Sequence, residues 1–263
     1  MVRSVIGRTI ECVYSRNMKQ RVTRFVAASS LFGMIALAGA SATQDDPVAY
    51  PDPAMSREAI VQVWGARTRG IKGIFGVHTW IAVKPADASE YTVYEIVGWR
   101  LRWSDTALVI RNRAPNHWFG AQGELYAEKR GAGVDELIRR IDNAAREYPY
   151  AKTYTLWPGP NSNTFVAWMT RAVPELEADL PATAIGKDYI GGNFISTAPS
   201  GSGVQFSLKG LLGFSASGVD GIEINVLGLN FGVAPSGVKL PMVGRIGTPR
   251  IQHALALEEP VTP

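Results

Sequence analysis

Four apolar, β-branched runs follow one another between residues 59 and 110: Ala59-Ile60-Val61-Gln62-Val63-Trp64, then 76–83, 91–99 and Ala107-Leu108-Val109-Ile110. The connections between them are too short to hold crossover helices, so these strand candidates are expected to pair antiparallel. Farther on, Val134, Leu137, Ile138, Ile141 and Ala145 recur at helical spacing with charge on the opposite side, which predicts an amphipathic helix. A second helix is expected to open near Ser162 or Asn163 and to run to about Ala172, ahead of Pro174. A chain of 263 residues, 46% of them hydrophobic, can bury a core around such elements.

Composition divides this body. All seven tryptophans lie between residues 64 and 168, whereas the last 73 residues hold 13 of the 27 glycines and no tryptophan. The glycine-punctuated, alternating segments 204–208, 221–226 and 227–233 read as short strands joined by tight turns. We expect them to form a β segment packed on the first region, with room for an exposed apolar face; a membrane β-barrel, with its eight or more strands of about ten residues, is the wrong scale. The expected class is α+β, an antiparallel sheet with two main helices over residues 58–190, followed by a glycine-rich β segment at 191–250 and a tail at 251–263. Residues 43–57, with three prolines and three acids, read as a linker.

The N-terminal 42 residues read as an address. Residues 25–42 carry no charge, follow the basic run 19–24 and end in Ala40-Ser41-Ala42, a pattern that suits a signal peptidase. Met18 would serve equally well as a start. The alternative is an inner-membrane anchor formed by residues 25–44, since about 20 residues span a bilayer. No cysteine follows the stretch, so a lipoprotein anchor is excluded. Both readings export the body to an extracytoplasmic, periplasmic place.

Charge and cysteine close off other classes. The formal net charge is +4, but six basic residues and one acid fall in the first 24 positions, and beyond residue 42 only 21 basic residues face 22 acidic ones. Nucleic acid is therefore not an expected partner. The single cysteine, Cys12, lies in the same N-terminal segment, so the body has no disulfide, thiol nucleophile or cysteine-ligated metal. No Walker loop, dinucleotide fingerprint or His-Glu-x-x-His run occurs, and neither a cofactor nor a metal is expected.

The residues that could carry chemistry are few. His78 sits within the most apolar strand candidate, sharing a face with Trp80 and Ala82; the plain reading is a hydrogen-bonded core histidine. His117 lies in a turn-rich loop, where a surface role is the simplest. In Trp157-Pro158-Gly159-Pro160-Asn161-Ser162-Asn163-Thr164-Phe165 the prolines and glycine force a turn, and Asn and Ser side chains can cap the helix that follows. A helix start also favours a developing anion, so Ser162 becomes a nucleophile candidate if a base stands within reach, and His78 is the strand-borne one. Glu95 or His117 could orient that imidazole; alternation leaves open which face of the Glu95 strand points inward. Asn161 and Asn163 could orient Ser162 or contact substrate, although capping explains them equally well, and Lys187-Asp188 is either a substrate contact or a solvated turn.

Taken together, the motifs Gly76-Val77-His78-Thr79-Trp80, 159–165 and Ile185-Gly186-Lys187-Asp188-Tyr189 resemble an uncharacterised family of bacterial envelope proteins, a domain of unknown function often preceded by a signal or membrane segment. More distantly, a strand histidine followed by an Asn-Cys-x-x-Phe helix start resembles circularly permuted NlpC-like, papain-fold peptidases and the lecithin retinol acyltransferase group. That resemblance implies a hydrolase or acyltransferase acting on a peptide or acyl bond, with His78 as base and Ser162 where those families place cysteine. Serine is far less acidic than a thiol and needs an oriented imidazole, so the substitution weighs on the catalytic reading. The competing expectations are a non-catalytic descendant that binds a peptide, glycan or lipid of the envelope, with its β segment docked on membrane or partner, and a purely structural module.

Overall fold

The computed structural model describes residues 50–248; the expected signal or anchor, residues 43–49 of the expected linker and the tail lie outside the described residues. Within it the architecture is α+β. The first sheet has the order β4-β3-β2-β1-β7 and is antiparallel throughout. Its strands are β1 (Ile60–Arg67), β2 (Val77–Lys84), β3 (Thr92–Ile96), β4 (Leu108–Asn112) and β7 (Glu124–Arg130). A one-turn helix α1 (Lys72–Phe75) joins β1 to β2, and the small hairpin of β5 (His117–Trp118) and β6 (Ala121–Gln122) precedes β7. Short connections force the antiparallel order, as the sequence predicts, and β7 closes the edge beside β1.

Successive side chains of a strand point to opposite faces, and both faces of this sheet are covered. One face carries Val61, Val63, Ile81, Val83 and Tyr94 against the helices α2 (Val134–Arg146) and α3 (Ser162–Ala172). The other carries Ile60, Trp64, Trp80, Ala82 and Val93, closed by Trp118 of the hairpin and by Tyr91. β2 is consequently buried along its whole length. In α2, Val134, Leu137, Ile138, Ile141, Ala144 and Ala145 form the buried stripe, each large aliphatic contributing about 1.5–3 kcal/mol.

The second sheet is a meander in the order β14-β13-β12-β11-β10-β9-β8, made of β8 (Ile195–Ser196), β9 (Val204–Leu208), β10 (Leu212–Ser217), β11 (Gly221–Val226), β12 (Leu229–Ala234), β13 (Gly237–Leu240) and β14 (Gly244–Ile246). None of its strands exceeds six residues. Its polarity is reversed. Gln205, Ser207, Ser215, Glu223, Asn225, Asn230 and Lys239 are buried, whereas Phe206, Phe214, Ile224 and Phe231 are exposed.

Candidate functional site

His78, on β2, lies in a dense polar and aromatic cluster. β2 and β3 run side by side, and His78 Nε2 lies 2.9 Å from Glu95 Oε2, with both side chains buried. The same carboxylate accepts from Trp118 Nε1 at 3.1 Å and from Arg111 Nη2 at 3.0 Å, and Arg113 Nη2 lies 3.6 Å from Oε1. The imidazole stacks on Trp118 with ring centroids 4.1 Å apart, and the Arg113 guanidinium lies over the Trp80 ring. Burial pulls the His78 imidazole below its ordinary value of 6.5, against the raising influence of the Glu95 hydrogen bond and charge. For Glu95, burial alone would raise the pKa; the hydrogen bond and charge of His78 and the charges of Arg113 and Arg111 outweigh it and hold the carboxyl at about 2. The cluster is thus an ionised carboxylate receiving a proton donor from a neutral imidazole, which fixes the tautomer with hydrogen on Nε2.

Of the two orienting residues expected for His78, Glu95 is the one in contact. His117 is not: it is exposed and pairs loosely with Asn116, while the next residue, Trp118, turns inward and supplies the indole N–H. Trp118, Arg111 and Arg113 went unread in the sequence. Their signal was the period-two spacing of Arg111 and Arg113 beside a strand carrying a lone buried acid.

Ser162 does not join this cluster. Alternation along β2 turns Thr79, not His78, toward α3, where Thr79 Oγ1 lies 3.0 Å from Asn163 Oδ1 and 3.3 Å from the Ser162 main-chain oxygen. His78 points to the opposite face, against Trp118 and Glu95. The sheet therefore separates the imidazole from the hydroxyl, and both are almost fully buried, 4% and 3% exposed. The serine–histidine pair expected from the papain-like resemblance needs the two groups on one side of the sheet.

The asparagines flanking Ser162 act structurally. Asn161 caps α3, accepting from the Asn163 and Thr164 N–H groups at 2.9 and 3.2 Å, while Thr164 Oγ1 accepts from the Asn161 N–H to complete a capping box. Its amide also donates to the carbonyls of Leu156 and Ile185. Asn163 donates to Val77 and Ile185, tying the helix start to β2. Gly186 packs directly on Asn161 with φ at 101°; a Cβ there would lie 2.4 Å from the amide nitrogen, so glycine is required on both counts.

Lys187 and Asp188 lie in a turn, as one reading expected, but it is buried and not solvated, and it offers no open contact surface. Both are buried beneath the second sheet. Asp188 accepts from Gln205 of β9, Asn225 of β11 and Asn230 of β12, all at 2.8 Å. Lys187 pairs with Glu223, which also holds Lys239, and Lys239 reaches Asp179 as well. Burial would lower the Lys187 pKa, but the charges of Asp188 and Glu223 overcome it and push the ammonium up. Glu223 is held below its ordinary range by these two lysines against the contrary effect of burial. Asp179, Asp220 and Glu223 are the one acidic group among the described residues close enough to share a cation, with ligand atoms within 4.8 Å of one another. Lys239 Nζ, bonded to Asp179 and Glu223 and to the Asp220 carbonyl, already supplies the positive charge there.

On the other side of this sheet the register stacks apolar residues into continuous rows. Ile195, Phe206, Phe214, Ile224 and Phe231 are cross-strand neighbours, as are Val204, Ala216, Ile222, Val233, Val238 and Ile246. Phe231 is 47% exposed and Val233 65%. The two sheets define an α+β protein whose body has a double-sided core and whose C-terminal third wears its apolar side outward. The chain belongs to the family described as "Protein of unknown function (DUF3750)", whose model matches residues 58–189. That span carries His78, Glu95, Ser162, Lys187 and Asp188. Neither curated proteins nor solved structures gave a match.

Proposed function

We propose that this protein is a non-catalytic module of the cell envelope that rests on a lipid surface through the outer face of its C-terminal sheet. The observation that carries this reading is the reversed polarity of that sheet, with charged and amide groups inside and phenylalanine, isoleucine and valine outside. Taking a side chain such as Phe206, Phe214, Ile224 or Phe231 out of water is worth about 1.5–3 kcal/mol each. A contiguous apolar patch across seven strands marks an interaction surface. Strands of at most six residues fall short of the roughly 9–11 needed to cross the hydrocarbon core, so the sheet lies on the bilayer. No helix among the described residues is long and apolar enough to cross a membrane, which leaves attachment to this face and to the uncharged N-terminal stretch.

Lipid is favoured over a glycan or peptide partner by chemistry and by delivery. The face offers few polar side chains with which to read a sugar or a peptide backbone. Residues 25–44, uncharged and preceded by basic residues, bring the body to a membrane whether they are cleaved as a signal or kept as an inner-membrane anchor. The His78–Glu95–Trp118 cluster is then a polar staple holding the hairpin to the sheet, and Ser162 is part of a helix start.

The test uses the full chain with Cys12→Ser, labelled with an environment-sensitive fluorophore at Phe214→Cys or, as control, at the exposed Lys152→Cys. In phosphatidylethanolamine–phosphatidylglycerol vesicles the label at 214 should shift to the blue and be quenched by spin-labelled lipid, and the label at 152 should remain accessible to iodide. A label at 214 that iodide quenches and lipid quenchers do not would sink the proposal. A shift that depends on protein concentration alone would assign the face to a second copy.

A further inference from the structure

Where β14 and the turn before it come against the ends of β1, β2 and β7, a cavity of about 170 Å³ lies between the two sheets. Arg67, Gln122, Glu124, Tyr126, Thr183 and Arg245 supply its polar lining. Two of these side chains are buried with hydrogen-bonding groups left over. The Arg245 side chain is 3% exposed; its Nη2 donates to the Asp179 carbonyl at 2.7 Å and pairs with the Asp179 carboxylate, yet Nε and Nη1 have no partner. Tyr126 is 1% exposed, and its hydroxyl, which neighbours the Glu124 carboxyl, has no partner in full hydrogen-bond geometry. Buried polar groups are rarely left unpaired, and these two residues line the same space. Every leftover group can donate, and Arg67 adds a second guanidinium, anchored on the carbonyls of Gly73, Ile74 and Val243.

We propose that this cavity binds a small carboxylate of amino-acid size, with its anionic oxygens on the Arg245 and Tyr126 donors. The volume falls below the several hundred Å³ of pockets for drug-sized ligands, which excludes nucleotides, glycan chains and acyl tails. Glu124 selects among small anions. Its carboxyl stands beside the site, where it would attract the amine of an amino acid and repel a phosphate or sulfate dianion more strongly than a singly charged carboxylate.

The full chain, purified in detergent, is titrated with acetate, alanine, succinate and inorganic phosphate, each against sodium chloride of equal ionic strength, following thermal unfolding and heat of binding. Alanine or acetate should give a saturable rise in Tm that chloride does not. Tyr126→Phe, which removes one oxygen from a packed ring, should weaken binding about tenfold, and the more exposed Arg67→Gln should weaken it with little effect on the fold. The absence of any saturable carboxylate effect would identify the cavity as a water-filled space and overturn the proposal. So would phosphate binding more tightly than every carboxylate, or carboxylate binding left unchanged in both variants.

Discussion

Thr79 Oγ1 lies 3.0 Å from Asn163 Oδ1, so the residue that β2 turns toward the start of α3 is the one after His78. A one-residue step along a strand reverses the side of the sheet, and it decides the chemistry available at Ser162. Without the imidazole on its side, Ser162 lacks the base that the papain-like arrangement would supply. A fluorophosphonate probe should leave Ser162 unlabelled in the folded protein. Ser162→Ala should stay within about 1 kcal/mol of wild type in urea unfolding, since only its main-chain oxygen is engaged by Thr79. Asn161→Ala should lose about 1–2 kcal/mol as a cap alone, with further loss from its bonds to Leu156 and Ile185. Labelling of Ser162 that disappears in His78→Ala would reverse this assignment.

The His78–Glu95 pair predicts how stability follows pH. A buried imidazole with a folded pKa below 6.5 binds fewer protons than the unfolded chain, so stability falls as pH drops through and below 6.5. Glu95, held at about 2 against an ordinary 4.5, contributes stability that is complete above 4.5 and lost as pH falls toward 2. The urea midpoint should therefore decline from pH 7.5 to 5.5 and decline again below 4.5. His78→Gln should flatten the first step. Glu95→Gln, which removes the charge from two arginines and an indole donor, should cost about 3–5 kcal/mol at pH 7 and abolish the second step. A midpoint that rises on acidification from pH 7.5 to 5.5 would mean that the folded state holds a protonated imidazole.

Beneath the C-terminal sheet, Lys187 and Glu223 form a fully buried ion pair shared with Lys239. Removing one partner strands a charge, so Lys187→Met and Glu223→Gln are each expected to destabilise by about 3–5 kcal/mol. Combined, they should cost less than their sum by about 1–3 kcal/mol, because neither buried charge of the pair is then left alone. Strict additivity in urea unfolding would show that the two groups are not coupled in solution.

The sequence exposes much of this fold where local chemistry and packing agree. α3 spans Ser162–Ala172 as expected, since an asparagine cap, an apolar interior and Pro174 act on the backbone independently of what surrounds them. β9 and β11 likewise fall at 204–208 and 221–226. β7 is invisible in the same way: Glu124-Leu-Tyr-Ala-Glu-Lys-Arg130 has too few apolar residues, and it can sit inside because Gln62 donates to Glu128 and Lys129 pairs with Glu177. The candidate site was legible as a set of residues and not as an arrangement. His78 and Glu95 share a face, but periodicity cannot say which side of a doubly covered sheet holds α3. Lys187 and Asp188 do lie in a turn, but its burial was not legible because their partners, Glu223, Asn225 and Asn230, lie 35 or more positions away.

Asp188 has a bearing on the order in which this chain is built. A sheet that buries an oily side gets its alignment from that side, because a slip by one position would drown it; here the oily side faces outward and penalises no slip. Alignment is instead set from the buried polar side, where one carboxylate reaches Gln205, Asn225 and Asn230 on three different strands and Lys187 pairs with Glu223. The glycine-rich third of the molecule thus borrows its registry from a residue upstream of it, and made apart from residues 162–190 it would have no template on which to set its strands.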